Sequence, residues 1–188
     1  MNARFGNAAL GAALGLAAML LSGTASASII GQQFTAEYRT PDLGTPYGSA
    51  VFTPTPFIAG PGVDTTGVVE GVTSLLVDLS NSGLTVTFDT TLSNPTWNAA
   101  AFNGIVLTAA GPLGVSGATV DGSSTLAGFD NSRVTLTGDA IELNWNGLSY
   151  HNGTVLSLSF TPVPEPASLA LLAVGLAGIG FARRRMRA

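Results

Sequence analysis

The chain has 188 residues, seven basic and eleven acidic, for a formal charge of −4 and length enough for one domain of ordinary size. There is no lysine. Four of the seven arginines crowd the last six positions, leaving residues 28–162 only Arg39 and Arg133 against ten carboxylates, a net of −8. So acidic a body repels phosphate backbones and anionic headgroups, which excludes a nucleic-acid reader. The absence of cysteine excludes disulfides, thiol chemistry and thiolate metal sites, and the lone histidine leaves little for zinc or a histidine-dependent triad.

The N-terminus opens with Arg4, continues as an uncharged apolar run of 14 residues from Ala8 to Leu21, and ends on the small residues Thr24-Ala25-Ser26-Ala27. That order is the pattern of a secretory signal peptide, residues 1–27, with Ala25 and Ala27 in the A-x-A arrangement and cleavage expected after Ala27. A retained membrane helix is the alternative, but the run is short of the roughly 20 residues that span a bilayer.

Residues 28–162 are rich in threonine, serine, glycine, valine and asparagine and show no sustained period of 3.6. Alternating or β-branched runs between turn signals predict nine strands. These are Ile30 to Tyr38, Ser49 to Thr53, Gly67 to Leu79, Leu84 to Thr91, Gly104 to Thr108, Ala118 to Val120, Arg133 to Thr137, Ala140 to Trp145 and Val155 to Thr161. Asn-Gly pairs favour tight hairpins, so Trp145-Asn146-Gly147-Leu148 and the similar Thr137-Gly138-Asp139-Ala140 read as hairpin tips. Five prolines between Thr40 and Pro61 predict mostly loop with one edge strand. The expected fold is all-β, an antiparallel β-sandwich of jelly-roll topology, flanked by an N-terminal signal helix and a C-terminal transmembrane helix. No repeat of 20 to 50 residues argues for a solenoid or propeller.

The third segment, residues 163–188, reads Val163-Pro164-Glu165-Pro166-Ala167-Ser168, then apolar from Leu169 to Ala182, then Arg183-Arg184-Arg185-Met186-Arg187. As a helix, Ala167 to Ala182 would reach about 24 Å. That is under the roughly 30 Å hydrocarbon core, yet local thinning and snorkelling arginines can hold such a span. Clustered arginines stay cytoplasmic, so an exported body would be held at the inner membrane by this tail. A buried or amphipathic terminal helix is the alternative; it needs a polar face that Leu169, Leu171, Leu172, Val174, Leu176, Ile179 and Phe181 do not leave. Gly175, Gly178 and Gly180 offer small surfaces for another helix and follow no strand, so they are not a nucleotide loop.

Pro164-Glu165-Pro166, the alanine- and leucine-rich span and the arginine-rich end resemble the PEP-CTERM sorting domain of Gram-negative, biofilm-forming bacteria. The same segment also circulates under an ice-binding label. The resemblance covers about 26 of the 188 residues. It implies recognition and removal of the tail by an exosortase, a membrane-embedded processing enzyme, with Pro164, Glu165 and Pro166 as sorting motif and Arg183, Arg184, Arg185 and Arg187 as topology anchor. It implies signal peptidase as a further partner and the cell surface or extracellular matrix as destination. The chemistry of the motif stands apart from the family: each residue before a proline is pushed out of the α region, so Val163 and Glu165 are held extended, as a processing site requires. A plain helix stop is the alternative reading.

Candidate chemistry in the body is sparse. His151 lies beside a turn without a second histidine or nucleophile motif, and reads as solvated. No Gly-x-Ser-x-Gly elbow occurs, and nothing in the spacing pairs Glu37, Glu70 or Glu142 as a glycosidase needs. Asp121, Asp130, Asn131 and Asp139 fall near loops but lack EF-hand spacing, so turn aspartates are expected and no metal or cofactor is assigned. Trp97, Trp145 and Tyr150 could stack on sugar rings or pack in the core. Residues 101–107, 127–133 and 134–145 are similar to bodies recurring among PEP-CTERM proteins, which implies architecture and no ligand. Arg133 is expected to pair with a neighbouring carboxylate. The leading expectation is therefore an exported, non-catalytic envelope or exopolysaccharide-matrix protein. A lectin-like carbohydrate-binding module comes second and a glycan-active enzyme third. Ice binding would need an ordered threonine array that the scattered strands do not predict.

Overall fold

The computed structural model describes residues 28–163, together with Gly175 alone. The expected signal helix, transmembrane helix, sorting motif and arginine anchor lie outside the described residues. Among the described residues, no helix is long and apolar enough to cross a membrane.

Eleven strands form: β1 (Gln33–Arg39), β2 (Ala50–Thr53), β3 (Phe57–Ile58), β4 (Thr65–Val69), β5 (Thr73–Leu79), β6 (Gly83–Thr90), β7 (Gly104–Ala109), β8 (Val115–Val120), β9 (Val134–Leu136), β10 (Ala140–Asn144) and β11 (Thr154–Pro162). They build a five-stranded sheet, β3-β1-β7-β10-β9, and a six-stranded sheet, β2-β4-β5-β6-β11-β8. Every pairing is antiparallel. Alternation explains which face of each strand turns inward. In β6, Leu84, Val86 and Phe88 are buried while Thr85 and Thr87 face outward; in β11, Leu156, Leu158 and Phe160 alternate with Val155, Ser157 and Ser159. One core joins the inner faces, with Phe34, Ile105, Leu107, Ile141 and Leu143 from the first sheet and Leu75, Val77, Val86, Phe88 and Leu156 from the second. Two facing antiparallel sheets on a shared core fit a β-sandwich.

The jelly-roll expectation needs correcting. In a jelly roll, strands consecutive in the chain mostly alternate between the two sheets, whereas β4, β5 and β6 are consecutive and lie side by side in one sheet. The predicted run from Gly67 to Leu79 is two strands, because the chain reverses at Glu70 and Gly71, whose φ angles are +53° and +71°. β3 was not predicted: it is a two-residue edge strand among the prolines. Val115 extends β8 three residues upstream of its predicted start. The hairpin at Thr137–Ala140 forms, with the Thr137 amide donating to the Ala140 carbonyl at 2.9 Å. The Asn146-Gly147 turn also forms, but the chain leaves it for a single bridge between Ser149 and Thr96 instead of returning along β10. Gly67 is required by packing: a Cβ there would lie 2.4 Å from the Phe52 ring on β2.

The topology gives the body two distinct poles. At one, the Ser28 hydroxyl and Ile30 amide meet Asn81 of the β5–β6 turn, the Phe160 amide donates to the Ser82 carbonyl, and the Val163 amide donates to the Gly114 carbonyl. At the other lie the β4–β5 turn, the end of β6 and the approach to β11. The seven residues of β5 separate the poles by about 20 Å.

Candidate functional site

The pole opposite Ser28 and Val163 holds a cleft of about 170 Å³. Its floor is an aromatic cluster drawn from four parts of the chain. Trp97 stacks on Tyr150 with ring centroids 4.7 Å apart and planes 10° from parallel. Tyr38 lies 5.6 Å from Trp97 and 6.0 Å from Trp145, and Phe88 closes edge-on against Trp145 at 5.1 Å. The sequence-predicted trio Trp97, Trp145 and Tyr150 is thus brought together, but as packed side chains. Trp145 is 0% exposed and presents no face to a ligand, so its expected part in sugar stacking gives way to a core role. Trp97 and Tyr150 line the cleft, yet each gives one face to the other and Trp97 is left only 9% exposed.

Buried polar atoms here are nearly all satisfied. Trp145 Nε1 donates to Tyr38 Oη at 2.9 Å, Tyr38 Oη donates to Asn103 Oδ1 at 2.6 Å, and Asn103 Nδ2 donates to the Asn98 carbonyl at 2.8 Å. Thr73 Oγ1 hydrogen-bonds Thr90 Oγ1 and Tyr150 Oη at 3.0 and 2.8 Å. Burial pushes the Tyr38 phenol well above the ordinary tyrosine range and raises that of Tyr150 as well. Trp97 Nε1 is the exception, a buried donor with no partner among the described residues, so packing alone fixes that ring.

The rim supplies the charge. Tyr47 Oη donates to the Glu70 carboxylate, which raises the Tyr47 pKa by favouring its protonated form. Glu70 also raises the Tyr38 and Tyr150 values as a minor contribution, so its field reaches across the cleft. Its φ of +53° is a left-handed backbone position normally taken by glycine, asparagine or aspartate. The walls between are aliphatic: Val69, Val72, Leu92 and Pro95. Among the described residues no arginine lines the cleft. Arg39 is tied to Glu37 at 2.7 Å in the one salt bridge among the described residues, and Arg133 points elsewhere.

Arg133 does not pair with a carboxylate as expected. Its Nη1 donates to the Asn144 and Asn146 carbonyls, both at 3.1 Å, because the β10 exit turn leaves those acceptors free of a returning strand. Its charge helps lower the Asp130 pKa, after the two hydrogen bonds from Ser132. Asp130 caps the short 3-10 turn Asn131–Arg133, Asn131 accepts from the Val120 amide, Asp121 accepts from Ser157 and Ser159, and Asp139 accepts from Thr137. These oxygens serve separate turns and strand contacts and converge on no common point. Among the described residues no group of three or more His, Asp or Glu is placed to hold a metal. Glu37 and Glu142 lie on one row across β1, β7 and β10 with Val106 between them, while Glu70 belongs to the other sheet's turn. His151 is exposed, with Nδ1 2.9 Å from the Asn152 carbonyl.

Sequence reasoning missed Tyr38, Tyr47, Thr73 and Asn103 as site residues, and treated Glu70 only as an unpaired carboxylate. They lie 47 to 112 positions from Tyr150, so only the strand order gathers them. The Glu70-Gly71 pair within an apolar run was the available signal, since glycine there marks a turn.

The second functional element begins where the fold stops. A family model for the PEP-CTERM protein-sorting motif matches residues 162–185. The chain carries that sorting motif, which implies an exported, membrane-processed protein that reaches the cell surface as an exosortase substrate. Neither a curated protein nor a solved structure matches the chain. Pro162 is both the last residue of β11 and the first of the motif, so no spacer separates body from signal.

Proposed function

We propose that this is a non-catalytic protein of the cell envelope or exopolysaccharide matrix of a Gram-negative bacterium, delivered by processing at both ends. In this reading signal peptidase removes residues 1–27. The 163–188 segment then holds the body at the inner membrane through its apolar span, with Arg183, Arg184, Arg185 and Arg187 on the cytoplasmic side. An exosortase-type enzyme recognises Pro164-Glu165-Pro166 and releases the body, residues 28–162. The observation that carries the proposal is the sorting motif matched at 162–185, directly abutting β11. Two features of the body support it. Ser28 and Val163, where the described body begins and ends, lie at one pole, and the cleft lies at the other. The hydroxyl-rich outer face of β6 and β11 suits a wet matrix.

Subcellular fractionation tests this reading. The full chain should appear in the membrane fraction as a precursor and outside the inner membrane as a shorter product. An unprocessed chain in the cytosol would contradict it.

A second reading, a lectin-like module, is favoured by the cleft, which gathers Trp97 and Tyr150 beside Glu70. A glycan array with the parent protein and Trp97→Ala tests it; array signal independent of Trp97 would remove it.

A further inference from the structure

The cleft has a chemistry narrower than general glycan recognition, and it rests on the same pocket as the module reading above. We infer that it is a binding site for a small organic ammonium ion, a methylated or hydroxyalkyl ammonium head, held by the Glu70 carboxylate between aromatic and aliphatic walls. The volume of about 170 Å³ falls below the range of roughly 300–1,000 Å³ that takes drug-sized ligands, which selects a small occupant.

The sign of the occupant follows from the charges. Among the described residues Glu70 is the only charged side chain lining the cleft, and its hydrogen-bond donor, Tyr47, is neutral. The two arginines of the body are engaged with Glu37, the Leu43 carbonyl and the Asn144 and Asn146 carbonyls. A carboxylate without a cationic partner, in a body of net charge −8, attracts a cation and repels an anion.

The kind of cation follows from the walls. Calcium takes six to eight oxygen ligands, and this cleft offers one carboxylate among neutral polar side chains (Thr40, Thr73, Thr96, Asn98 and Asn103) and the apolar walls; among the described residues no group of three His, Asp or Glu is placed to hold a metal. An ammonium whose charge is spread over methyl groups suits such walls, because aliphatic surface contacts the methyls while the Glu70 carboxylate answers the charge. A neutral sugar fits less well: it needs an open ring face, and Trp97 is 9% exposed and stacked on Tyr150. Glu70 occupies its left-handed position at a cost that asparagine or glycine would avoid, as expected of a side chain kept for what it binds.

The chain contains two tryptophans, Trp97 and Trp145, and both belong to this cluster, so intrinsic fluorescence reports on the cleft directly. The full chain in detergent would be titrated with choline, with its neutral isostere 3,3-dimethylbutan-1-ol, and with glucose. Choline should give a saturable change that the isostere does not. Glu70→Gln should weaken choline binding about tenfold, by losing a carboxylate–cation attraction, with the thermal midpoint unchanged. Choline and the isostere titrating alike, or Glu70→Gln titrating like the parent, would overturn the assignment. A response to glucose without one to choline would also overturn it while leaving the sugar-binding reading in place. Silence to all three would overturn the ammonium assignment, leaving the sugar reading to the glycan array and the export proposal to the chain ends.

Discussion

Trp145 Nε1 donates to Tyr38 Oη at 2.9 Å, joining residues 107 positions apart in a region closed to water. Tyr38 passes the bond on to Asn103, so one phenol satisfies a donor and an acceptor at once. Tyr38→Phe should therefore cost about 2 kcal/mol, since it leaves an indole N–H and an amide oxygen buried without partners. Urea denaturation measures this. The Tyr38→Phe/Trp145→Phe double variant should cost less than the two single costs added, because the shared bond is counted twice; simple additivity would show the bond to be energetically idle.

Alkaline pH should unfold the body through the same phenols. Tyr38 and Tyr150 are raised by burial above the ordinary value of 10.0. Below that value both states keep the proton and stability is constant. Above it the unfolded chain releases protons that the folded chain retains, so stability falls as pH rises toward the folded-state values. Thermal midpoints recorded from pH 8 to 11 should hold flat and then drop near pH 10. Tyr150→Phe should shallow the drop; an unchanged slope would count against burial as its cause.

Glu70 is the local misfit of the β4–β5 turn. Asparagine tolerates its left-handed backbone better than glutamate, and the Tyr47 bond lost on substitution is partly solvated. Glu70→Asn should raise stability by about 0.5 kcal/mol, read as a higher urea midpoint. A lower midpoint would mean that the Tyr47–Glu70 contact outweighs the backbone strain.

Much of the fold was legible because alternation is a local signal. Leu84 to Phe88 and Leu156 to Phe160 announce a wet face and a dry face without reference to any neighbour. Where the reading failed, the cause was non-local or too short to carry a period. Gly67 to Leu79 looked continuous because the reversal at Glu70-Gly71 sits between two apolar runs, and β3 has only two residues. The Asn146-Gly147 turn was correctly placed, but its sequel depends on Thr96, fifty positions earlier. The aromatic trio could be named, whereas its burial could not: the covering residue Tyr38 reaches it only through sheet order. Arg133 shows the same limit, since the Asn144 and Asn146 carbonyls become acceptors only once the turn is built.

Replacing Arg183, Arg184, Arg185 and Arg187 with glutamate should disturb the orientation of the tail and leave precursor unprocessed, as seen on immunoblots of fractionated cells. Normal maturation of that variant would make the charges dispensable. Truncation before Val163 should free the body from the membrane fraction, while β11 keeps its ladders to β6 and β8. Continued membrane retention would place the anchor elsewhere.

Mass spectrometry of the termini of the mature protein bears most directly on export and release. A chain beginning at Ser28 and ending upstream of Arg183 is the expected product. A polypeptide that still carries both Arg4 and the Arg183–Arg187 cluster in the soluble interior of the cell would contradict it.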